Sequence, residues 1–497
     1  MSLAAYGELE PRFARLSHLA GASAVLHWDR AAMMPPGGAA ARAEQLAALS
    51  VLRHELLCQA EVGELLDRAE ADAGDLDDWQ VANLRGMRWR WRHAVAVPAE
   101  LVAARSKAAS ACEMAWRSAR AADDFAMLRA DLEGVVGLTR EVAAAKADWL
   151  GCAPYDALLD GYEPAARAAG IDACFGELEG FLPDLVAAVL EAQADPPPIT
   201  GEFPADRQRR LGRQLMADLG FDFEHGRLDV SHHPFTGGVP GDVRLTTRYE
   251  AADPFAGLFA ILHECGHALY ENGLPADWRG QPVGGAMGMA VHESQSLIIE
   301  MQLCRSDAYL AYLAPLLVNA FGVDGPAWRP DNLCRRVRRV ARTPIRVTAD
   351  EVTYPLHVIL RYRLERAMLA GDLPIADLPE AWRAGLAELL DIVPPDDADG
   401  CLQDIHWMGG DFGYFPTYTL GAIAAAQLYE TLDQAEPDLP MAIRRGDFRP
   451  LLEWLRAAVH GWGSYHASTD ELLHRATGRP LDPGAFRRHL ERRYLDN

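Results

Sequence analysis

Features that would assign this chain to several other classes of protein are scarce or missing. Its eight cysteines form no CxxC pair, which argues against a disulfide framework and suits the reduced thiols of a cytoplasmic protein. No run of about eighteen apolar residues occurs, and residues 1–16 carry charges where a signal peptide would be apolar. We therefore expect a cytoplasmic protein without a membrane partner.

Positive charge is also scarce. Lys107 and Lys146 are the only lysines, and acidic residues outnumber basic ones enough to give a formal net charge of −23. Binding to nucleic acid requires clusters of basic side chains that neutralise phosphates. The composition therefore excludes nucleic acid as an expected partner.

Apolar residues recur every three to four positions over most of the chain, which predicts a mainly α-helical fold. The predicted helices cover residues 3–34, 40–72, 77–95, 98–121, 124–150, 170–194, 205–219, 254 to about 390 with breaks near Pro275, Pro282 and Pro330, and the chain beyond 418. The Pro196-Pro197-Pro198 loop divides a single domain, 1–497, into a helical half (1–195) and a second half (205–497).

One short segment favours a strand. Val243 to Tyr249 alternates between apolar and polar residues, and Gly and Pro are frequent around it. Such a strand could pair its edge with an extended peptide, or it could belong to a small hairpin that only packs against the next helix. The sequence leaves both interpretations open.

The most informative motif is His263-Glu264-Cys265-Gly266-His267, an HExxH sequence within a predicted helix. Asp253-Pro254 provides an N-cap and first-turn proline, and Asn272-Gly273 provides a stop. The four-residue spacing places both imidazoles on one helical face, where they can bind one Zn²⁺. Glu264 then lies where a general base for an activated water is needed, whereas Cys265 is explained by core packing.

A catalytic zinc ion usually takes a third protein ligand. We favour Glu293 and keep His292 as the competing candidate, because adjacent residues on a helix point about 100° apart and only one can face the metal. The residue that does not bind the metal, expected to be His292, would support the ligands or contact the substrate. Many such enzymes carry an acid four residues after the glutamate to orient a histidine ligand, but here that residue is Leu297. Asp350 and Asp229 are the candidates for this acid.

Several further motifs occur in the order found in one enzyme family. The chain resembles the thermostable metallocarboxypeptidases of the carboxypeptidase Taq type, and the resemblance covers nearly all of it. The motifs that carry it are HPF (233–235), DxRxT (242–246), HECGH (263–267), HESxS (292–296), IRxxAD (345–350) and GxxQDxHW (400–407), together with segments 26–38, 155–160 and 412–418.

This resemblance implies a helical fold like those of neurolysin and angiotensin-converting enzyme, with residues 1–195 covering a long substrate groove over the metal. It implies release of single C-terminal amino acids from peptides, with broad preference and poor release of proline. One Zn²⁺ per chain is the implied cofactor, and Co²⁺ is expected to support activity. The implied partners are peptides with a free C-terminus and a second copy of the chain in a homodimer.

The resemblance also assigns roles to particular side chains. A carboxypeptidase must bind a terminal carboxylate, which arginine does in a bidentate manner, and Arg346 is the first candidate; otherwise it is an ordinary helix-surface arginine. Arg244 either binds substrate or only builds the site. His406, Tyr414 or Tyr418 could donate a hydrogen bond to the oxyanion or to the terminal carboxylate.

Two other functions remain to be separated from this one. An endopeptidase or dipeptidyl carboxypeptidase would use the same metal chemistry, but an endopeptidase would tolerate a blocked substrate carboxylate. A peptide-binding scaffold without activity would have no need of Glu264, which is intact. The sequence therefore favours a metallocarboxypeptidase with Glu264 as its general base.

Overall fold

The computed structural model describes residues 2–496 and confirms a mainly α-helical fold with one small sheet. Two compact units can be distinguished, each built from three chain segments. The first contains Met1–Ala94, Ala194–Val337 and Gly421–Asp482, and the second contains Val95–Gln193, Arg338–Leu420 and Pro483–Asn497. The predicted halves, 1–195 and 205–497, are each continuous in sequence, whereas each compact unit combines three separate segments. The division into halves stays a prediction. None of the described helices has the length and apolar content of a membrane span.

The helices account for most of the chain. In order they are α1 (Ser2–Ala32), α2 (Ala39–Leu57), α3 (Ala60–Ala71), α4 (Asp78–Val95), α5 (Ala99–Ala122), α6 (Arg129–Leu150), α7 (Pro154–Leu159), α8 (Ala168–Glu179), α9 (Leu182–Ala192), α10 (Ala205–Asp218) and α11 (Pro254–Gly273). They continue with α12 (Met289–Leu297), α13 (Asp307–Phe321), α14 (Pro330–Val337), α15 (Tyr354–Ala370), α16 (Leu378–Leu390), α17 (His406–Gly409), α18 (Pro416–Ala435), α19 (Leu439–Arg444), α20 (Arg449–Ala458), α21 (Thr469–Thr477) and α22 (Pro483–Tyr494). A π-helical turn, Ile298–Leu303, directly extends α12.

Three predicted helices differ from the structure. The segments 40–72 and 170–194 each form two helices rather than one. The segment 338–353 is largely a loop, because the Asp350 carboxylate accepts hydrogen bonds from three backbone amides within it. Because the Asp350 side chain accepts hydrogen bonds from these backbone amides, they do not need the carbonyl partners that a helix would provide.

The sheet has three strands, β1 (Gly226–Val230), β2 (Phe235–Val239) and β3 (Asp242–Thr247), in the order β1-β3-β2. The predicted strand is confirmed as β3, which pairs in parallel with β1 and antiparallel with β2. The idea that this strand offers an edge to a peptide was wrong, because both of its edges are already paired. The hairpin alternative is the one that the structure contains.

Helix α11 lies in the hydrophobic core of the first unit. The Asp253 carboxylate accepts a hydrogen bond from the Phe255 amide (2.8 Å), which confirms the predicted N-cap. Its apolar face is fully buried at Ile261 and Leu262, and Cys265 is also fully buried, as expected for a packing residue. A capped, buried helix holds the side chains on its remaining face in a rigid frame.

Helices α11 and α12 approach each other closely at Gly266. A Cβ atom at this position would lie 2.5 Å from the Gln295 carbonyl oxygen and 2.6 Å from the Ser296 Cα. Both neighbours are backbone atoms, which cannot move aside like the end of a flexible side chain. The absence of a side chain at Gly266 therefore sets the distance between the two helices.

We expect Gly266→Ala to lower the free energy of unfolding by about 1–3 kcal/mol, since overpacking against rigid backbone is destabilising. Urea or thermal unfolding measures the change. The control is Gly7→Ala in α1, where nothing lies within 4 Å of the added Cβ. That substitution should stabilise its helix by roughly 0.5–1 kcal/mol. An unchanged or higher stability of Gly266→Ala would contradict the close approach.

Candidate metal centre

Three potential metal ligands meet in the first unit. Helix α11 supplies His263 and His267, and α12 supplies Glu293; one ligand atom from each lies within 4.8 Å of the other two. The Nε2 atom of His267 is 3.6 Å from a Glu293 carboxylate oxygen. Among the described residues, this is the one group of three or more such side chains that could hold an ion.

The His263 imidazole is oriented by a carboxylate that the sequence analysis missed. Its Nδ1 atom lies 3.0 Å from Glu300, and Glu300 also accepts a 2.9 Å hydrogen bond from Arg305. Burial opposes a charge on His263, but the hydrogen bond to Glu300 and the fields of Glu293 and Glu264 raise its pKa to about 10. The contact to Nδ1 leaves Nε2 as the nitrogen available to a metal.

The candidates Asp229 and Asp350 were wrong for this orienting role. Asp229 makes a bidentate ion pair with Arg227 on its own strand, and Asp350 organises the loop 338–353. The sequence feature that could have identified the orienting carboxylate is the position of Glu300. It lies seven residues after Glu293 and therefore on the same helical face. It lies in the π-helical turn, a feature that is frequent at functional sites.

His292, the competing third ligand, has a different set of contacts. Its Nε2 lies 3.0 Å from the Glu271 carboxylate of α11, and its ring stacks on His267 with a centroid distance of 4.5 Å. The ring therefore packs beside a candidate ligand instead of completing the cluster. Burial, followed by the charges of His292 and His263, lowers the pKa of His267 well below its usual value, which favours the neutral imidazole that binds metals.

Glu264 is buried and is held by the hairpin. The Thr236 hydroxyl of β2 lies 2.7 Å from a Glu264 carboxylate oxygen and 2.9 Å from the Glu264 backbone carbonyl. Burial raises the pKa of Glu264 above its usual value, with opposing contributions from His263 and Thr236. The strand thus orients a desolvated carboxylate next to the ligand cluster.

The side chains of the cluster suit a divalent cation. Two imidazoles and one carboxylate form the ligand set that zinc takes in many hydrolytic enzymes, and one position is left for water. Burial also raises the pKa of Glu293, with a further contribution from the nearby Glu264 carboxylate. A cation between the ligands would offset the cost of burying these carboxylates together.

Arg244 of the DxRxT motif has structural contacts. Its guanidinium makes a bidentate ion pair with Asp242 and lies 4.3 Å from the centre of the Trp28 ring. Arg227 lies over the same ring at 4.8 Å. The contacts join α1 to the sheet, which supports the interpretation that Arg244 builds the site.

In the second unit, Arg346 is buried in a short helical turn and is not a surface residue of a long helix. Its Nε and Nη2 atoms donate to Asp404 (3.1 and 2.7 Å), and Nη1 donates to the Tyr354 hydroxyl (2.7 Å). The rings of Tyr418 and Phe415 lie 5.2 and 5.6 Å from its Cζ. These partners use three of its five donors, so two remain for a ligand.

Asp404 is shared between two arginines. Its second oxygen accepts a 2.6 Å hydrogen bond from Arg361, which is fully buried. Burial opposes ionisation, but Arg361 and Arg346 hold the pKa of Asp404 well below its usual range. Sequence reasoning missed Arg361 and gave Asp404 no role, although Asp404 lies inside the GxxQDxHW motif.

The remaining predicted residues form an aromatic cluster in the second unit. The His406 Nε2 lies 3.2 Å from the Tyr418 hydroxyl, and burial lowers the pKa of His406 to about 4, so the ring is neutral near pH 7. Tyr414 packs edge-on against Tyr418 and Tyr162. Its surroundings are mostly aromatic, whereas His406 and Tyr418 present polar atoms next to Arg346.

Comparisons with known proteins agree over the full length of the chain. It is 38% identical over 507 aligned residues to thermostable carboxypeptidase 1 of Thermus thermophilus, covering 99% of this chain and 98% of that protein. It is 34% identical to carboxypeptidase 1 of Bacillus subtilis, covering 97% of this chain and 96% of that protein.

Solved structures show the same architecture. Metallocarboxypeptidase 1 of Trypanosoma cruzi superposes with a TM-score of 0.97 at 39% identity, covering 99% of this chain and 100% of that one. The M32 carboxypeptidase of Deinococcus radiodurans gives a TM-score of 0.94 at 36% identity, with 99% of both chains covered. The sequence profile described as carboxypeptidase Taq (M32) metallopeptidase matches residues 8–494. The chain therefore belongs to the carboxypeptidase Taq (M32) family of metallopeptidases.

Proposed function

We propose that this metallocarboxypeptidase holds one Zn²⁺ between His263, His267 and Glu293 and releases single amino acids from the C-termini of peptides. The observation that carries the proposal is the cluster itself, whose ligand atoms lie within 4.8 Å of one another beside Glu264. When bound, the metal supplies Lewis acidity that polarises the scissile carbonyl and activates water. Co²⁺ is proposed as a substitute, since it is close to zinc in ligand preference.

Glu264 is the proposed general base. Its carboxylate takes a proton from the attacking water and delivers it to the leaving amine. The Thr236 hydroxyl, 2.7 Å away, keeps the carboxylate in one orientation throughout. A positioned base of this kind contributes typically 10²–10⁴-fold to the rate.

Arg346 is the proposed receptor for the terminal carboxylate of the substrate. Asp404 holds its guanidinium from one side, and the aromatic rings around it exclude water. Its two remaining donors can form a charge-assisted pair with a carboxylate. The neutral His406 and the Tyr418 hydroxyl lie in the same cluster and can donate further hydrogen bonds.

The proposed receptor binds the terminal carboxylate and makes few contacts with the side chain of the C-terminal residue. This accounts for the broad preference for the C-terminal residue that we propose. Release of proline is proposed to be poor, because an X–Pro bond is a tertiary amide with a fixed φ angle and no N–H. A homodimer is proposed from the family resemblance.

A short N-blocked peptide, offered with either a free or an amidated C-terminus, tests the activity. We expect metal-loaded protein to release one amino acid from the free acid only, and chelation to abolish the release. Mass spectrometry of the products identifies the cleaved bond. Equal cleavage of the amide would contradict the carboxylate receptor, and release of dipeptides would indicate a dipeptidyl carboxypeptidase.

Arg346→Lys keeps the positive charge but loses the planar fork, so kcat/KM for the free-acid peptide should fall about 10- to 100-fold. Steady-state kinetics measures the change. The matched control is Arg363→Lys, since Arg363 is 41% exposed and pairs with Glu179 and Glu388. A loss of the same size in both variants would argue against a specific role for Arg346.

Glu300→Gln should weaken metal binding roughly 10- to 100-fold, because the imidazole of His263 loses the carboxylate that orients it. Competition with a chromogenic chelator measures the metal dissociation constant without turnover. Glu271→Gln is the control, since Glu271 contacts His292 and none of the proposed ligands. Unchanged affinity in Glu300→Gln would remove Glu300 from the metal centre.

A further inference from the structure

The carboxylate of Glu365 on α15 is fully buried in the second unit. Its Oε1 atom accepts hydrogen bonds from the Tyr155 hydroxyl of α7 and from the Gly413 amide (3.2 Å). Its Oε2 atom accepts one from Trp407 Nε1 (3.0 Å). Three donors from three separate parts of the chain therefore meet at one side chain. Glu365 lies outside all of the sequence motifs, and no step of the proposed reaction uses it.

Glu365 differs from the other buried carboxylates that orient functional groups in this protein. Glu300 and Asp404 each pair with arginine, whereas the three partners of Glu365 are all neutral, and no cation pairs with it in the described part of the chain. Burying a carboxylate without a cation costs stability. A neutral amide of the same size could not accept hydrogen bonds from all three donors, so the carboxylate provides contacts that packing alone cannot.

Two of the three donors belong to the short segment 406–413. Trp407 lies at its start and Gly413 at its end, and they bind different oxygens of the same carboxylate. The segment contains only the single helical turn α17, and so short a helix has no stability of its own. Its position must come from contacts with other elements, and Glu365 holds it at both ends.

This segment carries part of the proposed receptor. His406 directly precedes Trp407, so a fixed direction for the Trp407 side chain also fixes that of His406, about 100° away around the same turn. The His406 ring lies 4.5 Å from that of Phe415, and its Nε2 is 3.2 Å from the Tyr418 hydroxyl. Arg346 lies against both of these rings. The Nδ1 atom of His406 makes no hydrogen bond in the described part of the chain, so the ring depends on its backbone for its position.

We propose that Glu365 is a positioning residue for substrate binding: it holds the segment 406–413 at both ends and thereby keeps His406 beside Tyr418 and Arg346. This inference rests on the proposed function, in which His406 donates a hydrogen bond to the substrate. Glu365 is buried and acts through Trp407 and the backbone of the segment, without touching the substrate itself.

Glu365→Gln tests the proposal. It keeps the shape of the side chain but replaces one acceptor oxygen by a donor NH2 group, which must face either Trp407 or Gly413. We expect kcat/KM for an N-blocked peptide with a free C-terminus to fall about tenfold, because the segment is no longer held at both ends. The control is Glu430→Gln, which alters a largely buried carboxylate that pairs with Arg479 in the first unit and should leave kcat/KM unchanged.

A double-mutant cycle tests whether the effect passes through His406. Because His406→Ala removes the side chain that the segment presents, adding Glu365→Gln to it should lower kcat/KM by no more than about twofold. A further loss of about tenfold in that background would refute the positioning role, since a general structural defect acts in both backgrounds. If Glu365→Gln does not fold, Trp407→Phe, which removes the indole donor and keeps an aromatic ring, takes its place in the same cycle. An unchanged kcat/KM in Trp407→Phe would refute the role as well.

The contact also predicts a pH signature. Burial raises the pKa of Glu365 to about 7, although the hydrogen bonds from Tyr155, Trp407 and Gly413 oppose the rise. Above that pH the ionised carboxylate binds its donors more strongly, so kcat/KM of the wild type divided by that of Glu365→Gln should rise from about pH 6 to about pH 8. A ratio that is constant with pH would overturn the proposal.

Other groups near Glu365 also carry or gain charge. They are Tyr155, Tyr162 and Tyr362, whose pKa values burial raises, His406, whose pKa burial lowers to about 4, Asp411, whose pKa burial raises, and Arg366 with its partner Asp172. All of them are present in Glu365→Gln too, so the ratio between the two proteins isolates the titration of Glu365.

Hydrogen exchange separates this inference from the proposed function, because it needs no turnover. In Glu365→Gln the backbone amides of residues 406–418 should exchange faster than in the wild type, and those of α11 should exchange at the same rate. Mass spectrometry of peptic fragments resolves the two segments. Unchanged exchange in 406–418, or faster exchange in both segments, would refute the positioning role even if the wild type cleaves peptides normally. If the wild type cleaves no peptide, the proposed function fails, and faster exchange confined to 406–418 would still support the hold of Glu365 on this segment.

Discussion

The close approach of α11 and α12 at Gly266 is the constraint on which the metal centre depends. The ligands come from two helices, and their atoms can converge within 4.8 Å only if the two backbones nearly touch. Gly421 makes a similar contact from α18, where an added Cβ would lie 2.7 Å from the Cβ of Glu293. Because Gly266 and Gly421 have no side chain, the neighbouring backbones can come close enough to place the Glu293 carboxylate opposite the two imidazoles.

Charge is arranged so that buried carboxylates have defined partners. Glu300 lies between His263 and Arg305, and Asp404 lies between Arg346 and Arg361. A buried carboxylate held from both sides keeps one orientation, and it also fixes the orientation of the imidazole or guanidinium that it contacts.

Local sequence patterns predicted the parts of the fold that depend on neighbouring residues. The N-cap at Asp253 is confirmed, and the strand predicted over Val243–Tyr249 is confirmed as β3, because capping and alternation involve only a few adjacent positions. The loop 338–353 was wrongly assigned to a helix. Asp350 satisfies its amides there, and helix periodicity carries no information about such a side chain.

The sequence by itself determined the family, the helical class and the HExxH motif, because spacing on one helix places His263 and His267 on one face without help from the rest of the chain. Only the tertiary structure decided the supporting groups. It brought Glu300 to His263, Thr236 to Glu264, and Asp404 to Arg346. The physical reason is that these contacts join separate elements of the chain, so their geometry follows from helix and strand packing and not from residue spacing.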